Sequence, residues 1–98
     1  MMTVKWFVAA SGDLNKIFDY YVKLNPRSAS MLYNRILDET EILKTNPYIG
    51  TIEQSLLGCG EEYRSLVVAK GRYKVVYFIK NNKVFSTDAS GSVTTMSV

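Results

Sequence analysis

An α+β domain is expected, in the order β-α-α-β-β-β, with a helical hairpin packed on a largely antiparallel four-stranded sheet. Three observations lead there. Residues 3–8 alternate in strand fashion, residues 14–45 carry apolar side chains at helical spacing, and residues 63–88 are dense in valine and tyrosine between turn signals. Helices grouped before a run of strands give a layered fold with the helices against one sheet face.

Thr3 to Val8 places Val4, Trp6 and Val8 on one side and Thr3, Lys5 and Phe7 on the other. Ser11-Gly12-Asp13 then offers side-chain oxygens able to cap free backbone N–H groups, so a helix is expected to start there. Leu14, Ile17, Phe18, Tyr21 and Leu24 form its apolar stripe. Asn25-Pro26 ends this helix and opens the next, because Asn caps well and proline suits the first helical position. Ala29, Leu32, Ile36 and Leu43 mark one face of a second helix running to about Thr45, roughly 30 Å long. The very short connection makes the two helices an antiparallel hairpin.

Residues 48–62 carry Gly50, Gly58 and Gly60 and no clear period, the pattern of a loop with room for a short strand or turn. Tyr63 to Val68 and Arg72 to Lys80 are strands separated by Lys70-Gly71. Asn81-Asn82 is a second hairpin turn, since Asn tolerates positive φ, and Lys83 to Asp88 completes the meander. Ala89 to Val98 is small and uncharged. It reads as a flexible polar tail (residues 89–98) after one domain (residues 1–88).

At 98 residues the chain has the length of one domain and can bury a modest core. Met1 to Ala10 lacks the long apolar run of a signal peptide or membrane span, and Cys59 stands alone, so no internal disulfide forms. Both features point to a cytoplasmic protein that does not engage a membrane. There is no histidine. That removes Ser-His-Asp and Cys-His nucleophile pairs, His-based zinc sites and an imidazole base, and neither a metal nor a cofactor is expected.

Charge is unevenly distributed. Residues 1–62 hold 6 basic and 8 acidic side chains, whereas residues 63–98 hold 6 basic and 1 acidic. An anionic partner for the C-terminal part would account for this, and so would a solvated sheet face. Alternation in Arg72 to Lys80 sets Tyr73, Val75, Tyr77 and Ile79 towards the helices and Arg72 and Lys74 on the opposite face. Met31, Leu37 and Ile42 lie off the main stripe of the second helix, where they could receive a partner segment or close a homodimer.

The chain resembles the RelE/ParE toxin superfamily, also called plasmid stabilisation or type II toxin–antitoxin toxins. The resemblance rests on DLNKIFDYY (Asp13 to Tyr21), the Ala29 to Leu43 helix ending in Asn46-Pro47-x-x-Gly50, YRSLVV (Tyr63 to Val68) and RYKVVYFIKNNKVF (Arg72 to Phe85). It implies a toxin neutralised by a cognate antitoxin, closer to the ParE-like branch, which binds DNA gyrase. The alternatives are a RelE-like mRNA endonuclease acting on the ribosome, or a member that keeps fold and antitoxin binding without toxicity. Carried onto this chain, the family pattern falls on Arg64 and Lys74, the candidates for phosphate contacts in a ribonuclease. With Lys70 and Arg72 they make up the expected nucleic-acid or target-binding set, and Met31, Leu37 and Ile42 the expected antitoxin-binding set. After Lys83 the chain departs from the family pattern. Asp88 is followed by no Arg, Lys or Tyr.

A metal-free RNA cleavage would also need a base, and without histidine only Glu61, Glu62, Asp88, a tyrosinate or a lysine could serve.

Overall fold

The computed structural model describes residues 2–91. Strand β1 (Thr3–Trp6) leads into helix α1 (Val8–Val22) and helix α2 (Pro26–Thr40), which ends in a 3-10 turn (Glu41–Lys44). Strands β2 (Thr51–Ile52), β3 (Arg64–Val68), β4 (Tyr73–Lys80) and β5 (Lys83–Gly91) follow. They form one five-stranded sheet in the order β1-β5-β4-β3-β2. Only the β1–β5 pair is parallel, with Thr3 opposite Lys83. The expected helical hairpin on a largely antiparallel sheet is present, and the two-residue β2 adds a fifth strand within the stretch read as a loop. Two residues are too few to show a period.

Helix α1 begins at Val8, ahead of the Ser11-Gly12-Asp13 segment. Its cap, Phe7, contributes no side-chain hydrogen bond, and the start is set by Ala9 and Ala10, strong helix formers placed directly after the strand. Asp13 does cap a backbone N–H, but a distant one: Ala89 N donates to its Oδ2 at 3.2 Å. Helix α2 opens as expected. Asn25 Oδ1 accepts from Arg27 N at 3.1 Å and Ser28 N at 3.2 Å, with Pro26 in the first turn. The buried Thr40 hydroxyl donates to Ile36 O at 2.6 Å, and there the α-helix gives way to the tighter 3-10 turn.

Both helices cover one sheet face, α1 against β5 and α2 against β3. One core cluster gathers Leu14, Ile36, Val68, Val75 and Ala89; a second gathers Leu43, Tyr77 and Val84. Val75 and Tyr77 thus face the helices, as alternation requires. The opposite face has an apolar layer of its own, since Phe78 stacks on Phe85 with centroids 5.2 Å apart and meets Tyr63 edge-on at 5.5 Å.

The hairpin turns carry positive φ at Lys70 (57°) and Gly71 (84°), and at Asn81 (52°) and Asn82 (60°), matching the turn residues read from sequence. Strand β5 runs three residues beyond the expected end of the domain. Ala89 is buried and Ala89–Gly91 pair with β4, so these residues belong to the sheet and not to a tail. Residues 92–98 lie outside the described residues.

Candidate functional site

The cations singled out by sequence do not share a face. In the β3–β4 register Arg64 stands opposite Tyr77 and Val67 opposite Lys74, so Arg64 leans to the helix side and Lys74 to the outer side.

Arg64 is built into the fold. Its Nη1 donates to Gly50 O at 2.9 Å and Tyr48 O at 3.4 Å, its Nη2 pairs with Glu62 at 2.9 Å, and it lies 5.2 Å from the Tyr48 ring centroid. The guanidinium side chain is only 17% exposed, and its buried Nε has no hydrogen-bond partner among the described residues. Tyr77 completes the same knot. Its hydroxyl donates to Pro47 O at 2.7 Å and accepts from Gly50 N at 3.0 Å, and burial pushes that phenol above its ordinary pKa. A Cβ on Gly50 would stand 2.5 Å from the Tyr77 hydroxyl and 2.7 Å from Ser65 O, so only glycine fits. The Asn46-Pro47-x-x-Gly50 segment is therefore pinned by Arg64 and Tyr77 together.

Lys74 is held on the outer face. Its Nζ lies 3.3 Å from Glu53 Oε2, the oxygen that also accepts from the Ser65 hydroxyl, while Ser55 Oγ donates to Glu53 Oε1 at 3.1 Å. The Ser65 bond, with help from Lys74 and Ser55, holds the Glu53 carboxyl below its ordinary pKa against the opposing effect of burial. Glu62 and Glu61, the carboxylates nearest Arg64 in sequence, are an ion-pair partner of Arg64 and of Lys80 respectively.

Arg72 departs from its expected place. Strand β4 starts one residue later, so Arg72 belongs to the turn and reaches back to the helix side. Its Nη2 donates to Tyr21 Oη at 3.0 Å, with the guanidinium 5.7 Å from that ring centroid. The Tyr73 hydroxyl donates to the same Tyr21 oxygen at 3.3 Å. The two donors, Tyr73 first, draw the Tyr21 phenol below its usual pKa, whereas burial and then Tyr21 push Tyr73 up to about 12. Tyr21 is therefore a rim residue and not the core residue its helical position suggests. Lys70 is exposed in the same turn.

Arg72 also borders a groove along α2 lined by Ser28, Met31, Leu32, Arg35 and Glu39. Of the residues expected to receive an antitoxin, Met31 is exposed on this groove, Ile42 is exposed on the 3-10 turn, and Leu37 packs against the core. Asp88 sits beside Asp13, and burial, followed by that second carboxylate, raises its pKa.

A family model described as the ParE toxin of the type II toxin–antitoxin system, parDE, matches residues 4–86. The chain belongs to the ParE toxin family. Among solved structures, one described as the chromosomal ParDE TA system from P. aeruginosa is 23% identical with a TM-score of 0.77, covering 93% of this chain and 96% of that chain. No curated protein sequence gives a significant match. In this ParE-family chain, sequence reasoning missed Glu53, which organises the outer face from within a loop. It also missed the Tyr21–Tyr73 pair, whose 52-residue separation leaves no local signal. Gly50 did carry a signal, a glycine at a fixed distance after Asn46-Pro47.

Proposed function

We propose that the chain is a toxin acting in the cytoplasm by binding a macromolecular target such as DNA gyrase, and that a cognate antitoxin neutralises it. Family membership supports the toxin role, and the similar P. aeruginosa structure, described as a ParDE TA system, supports an antitoxin partner. The observation that favours target binding over mRNA cleavage is the separation of Arg64 and Lys74. They lie on opposite faces of the sheet, and each is tied to a carboxylate, Glu62 and Glu53. A phosphoryl-transfer site needs its cations converging on one phosphate and available to it. The groove beside Met31 and Arg72 is the proposed seat of the antitoxin, with exposed apolar surface flanked by both signs of charge.

Pulse-labelling of DNA and protein synthesis just after inducing this chain alone in a bacterial host tests the reading. Early loss of DNA synthesis is expected. Early loss of protein synthesis would replace it with the endonuclease, and no change in either would mean that the fold has outlived its toxicity.

A further inference from the structure

Among the described residues five cations, Arg35, Lys44, Arg64, Lys74 and Lys80, have carboxylate partners. Of the four cations expected to bind a target, Lys70 and Arg72 have none among the described residues, and they lie two residues apart in one exposed turn. Arg72 is oriented by phenols instead. Tyr21 Oη receives the Arg72 N–H and the Tyr73 O–H, which directs its own proton away from both. The result is a donor-rich surface, with Arg72 and Lys70 exposed and the half-buried Tyr21 hydroxyl left with its own proton to donate.

Aromatic surface adjoins it. Tyr20 is 65% exposed and meets Tyr21 edge-on, with centroids 5.0 Å apart and planes at 88°. An edge-on contact covers one ring face of the pair at most, so Tyr20, 65% exposed, keeps a ring face open to solvent, and a planar arginine lies over the neighbouring ring. Cations interleaved with open aromatic faces are what a single strand uses, phosphate on the cation and base on the ring. On the α2 side of Arg72, Glu39 is engaged by Arg35 and by Ala69 N, and Asp38 has no cation partner among the described residues. An anion therefore belongs on the tyrosine side.

We propose that Tyr20, Tyr21, Lys70 and Arg72 form a subsite for single-stranded nucleic acid, with successive backbone phosphates on Lys70 and Arg72 and a base on Tyr20. The subsite does not depend on gyrase being the target, so it stands or falls separately from the toxin reading. Its phosphate contacts are these two cations, not the four that the sequence suggests.

The test is fluorescence anisotropy of a labelled thymidine decanucleotide with the purified full chain, at several salt concentrations. With two phosphates neutralised, log affinity should fall against log salt with a slope near about −1.4. Arg72→Gln should weaken binding about tenfold, and Tyr20→Ala about fivefold or more, the lower range for losing one stacked base. Both side chains are exposed, and unchanged circular dichroism and melting confirm that each variant folds. Lys83→Gln, at the far end of the sheet, should change affinity less than twofold. Three results would overturn the proposal. One is no binding at low salt. Another is an equal loss in Lys83→Gln, which would mean diffuse charge attraction. The third is unchanged binding by Tyr20→Ala with equal competition from thymidine monophosphate, which would mean a lone phosphate contact.

Discussion

Arg64 and Arg72 are eight positions apart on neighbouring segments, and their surroundings differ in kind. Arg64 reaches sideways to carbonyls of a loop that Tyr77 also anchors, and it is closed over by Tyr48. Arg72 stands at a turn, bonds to a phenol of α1, and keeps much of its donor capacity in water. A basic residue is thus a structural bolt where its half-buried guanidinium meets two backbone oxygens and a carboxylate at once, and a binding group where its partners are weaker than a ligand would be. The unequal charge of the two halves of the chain conceals this division, because Lys74, Lys80 and Arg64 are neutralised by carboxylates from the N-terminal half, Glu53, Glu61 and Glu62.

The contrast is largest at the loop that Arg64 anchors. Gly50→Ala forces a methyl group against the Tyr77 hydroxyl and Ser65 O, and about 3 kcal/mol of stability should be lost, as read by urea unfolding. Little change would mean that the loop yields freely and that the knot is not rigid. Arg64→Ala should cost about 2 kcal/mol by leaving Gly50 O and Tyr48 O without their charged donor. If Arg64→Ala is as stable as the parent chain, its role is functional and the contrast with Arg72 fails.

A smaller effect separates Glu53 from Asp88 by pH. The Glu53 pKa is lowered in the fold, so its stabilisation is present above the ordinary carboxylate pKa of about 4.3 and is lost as pH falls towards its folded value. The Asp88 pKa is raised, so its contribution is present below about 3.9 and is lost as pH rises through its folded value. At pH 7, Glu53→Gln should therefore destabilise by about 1 kcal/mol, while Asp88→Asn should be neutral or stabilising. Thermal melts at pH 4 and pH 7 distinguish them, and the same sign for both variants would contradict these environments. The smallest effect belongs to Arg72→Ala, whose stability should stay within about 0.5 kcal/mol of the parent. A larger loss would make Arg72 a second bolt.

Most of the fold is legible in the sequence because its signals are local. Asn25-Pro26 and Asn81-Asn82 each specify their turn through their own backbone chemistry, and Val75 and Tyr77 declare the core face by alternation. The start of α1 is not, because Ser11-Gly12-Asp13 offers capping oxygens that the chain uses elsewhere, with Asp13 serving β5. The end of β5 is not either, because Ala89 and Ser90 lack strand character and are kept in place by pairing with β4. The site is legible by residue type but not by arrangement. Whether Arg64, Arg72 or Lys74 is free depends on Tyr48, Tyr21 and Glu53, partners brought in by tertiary structure from positions 16, 51 and 21 residues away.

The most direct measurement is supercoiling of relaxed plasmid by purified DNA gyrase, titrated with this chain. A target-binding toxin should inhibit supercoiling near stoichiometric concentration, with Arg72→Ala still folded and available to show whether that cation contributes. Full supercoiling at a large excess of folded protein would contradict gyrase as the target.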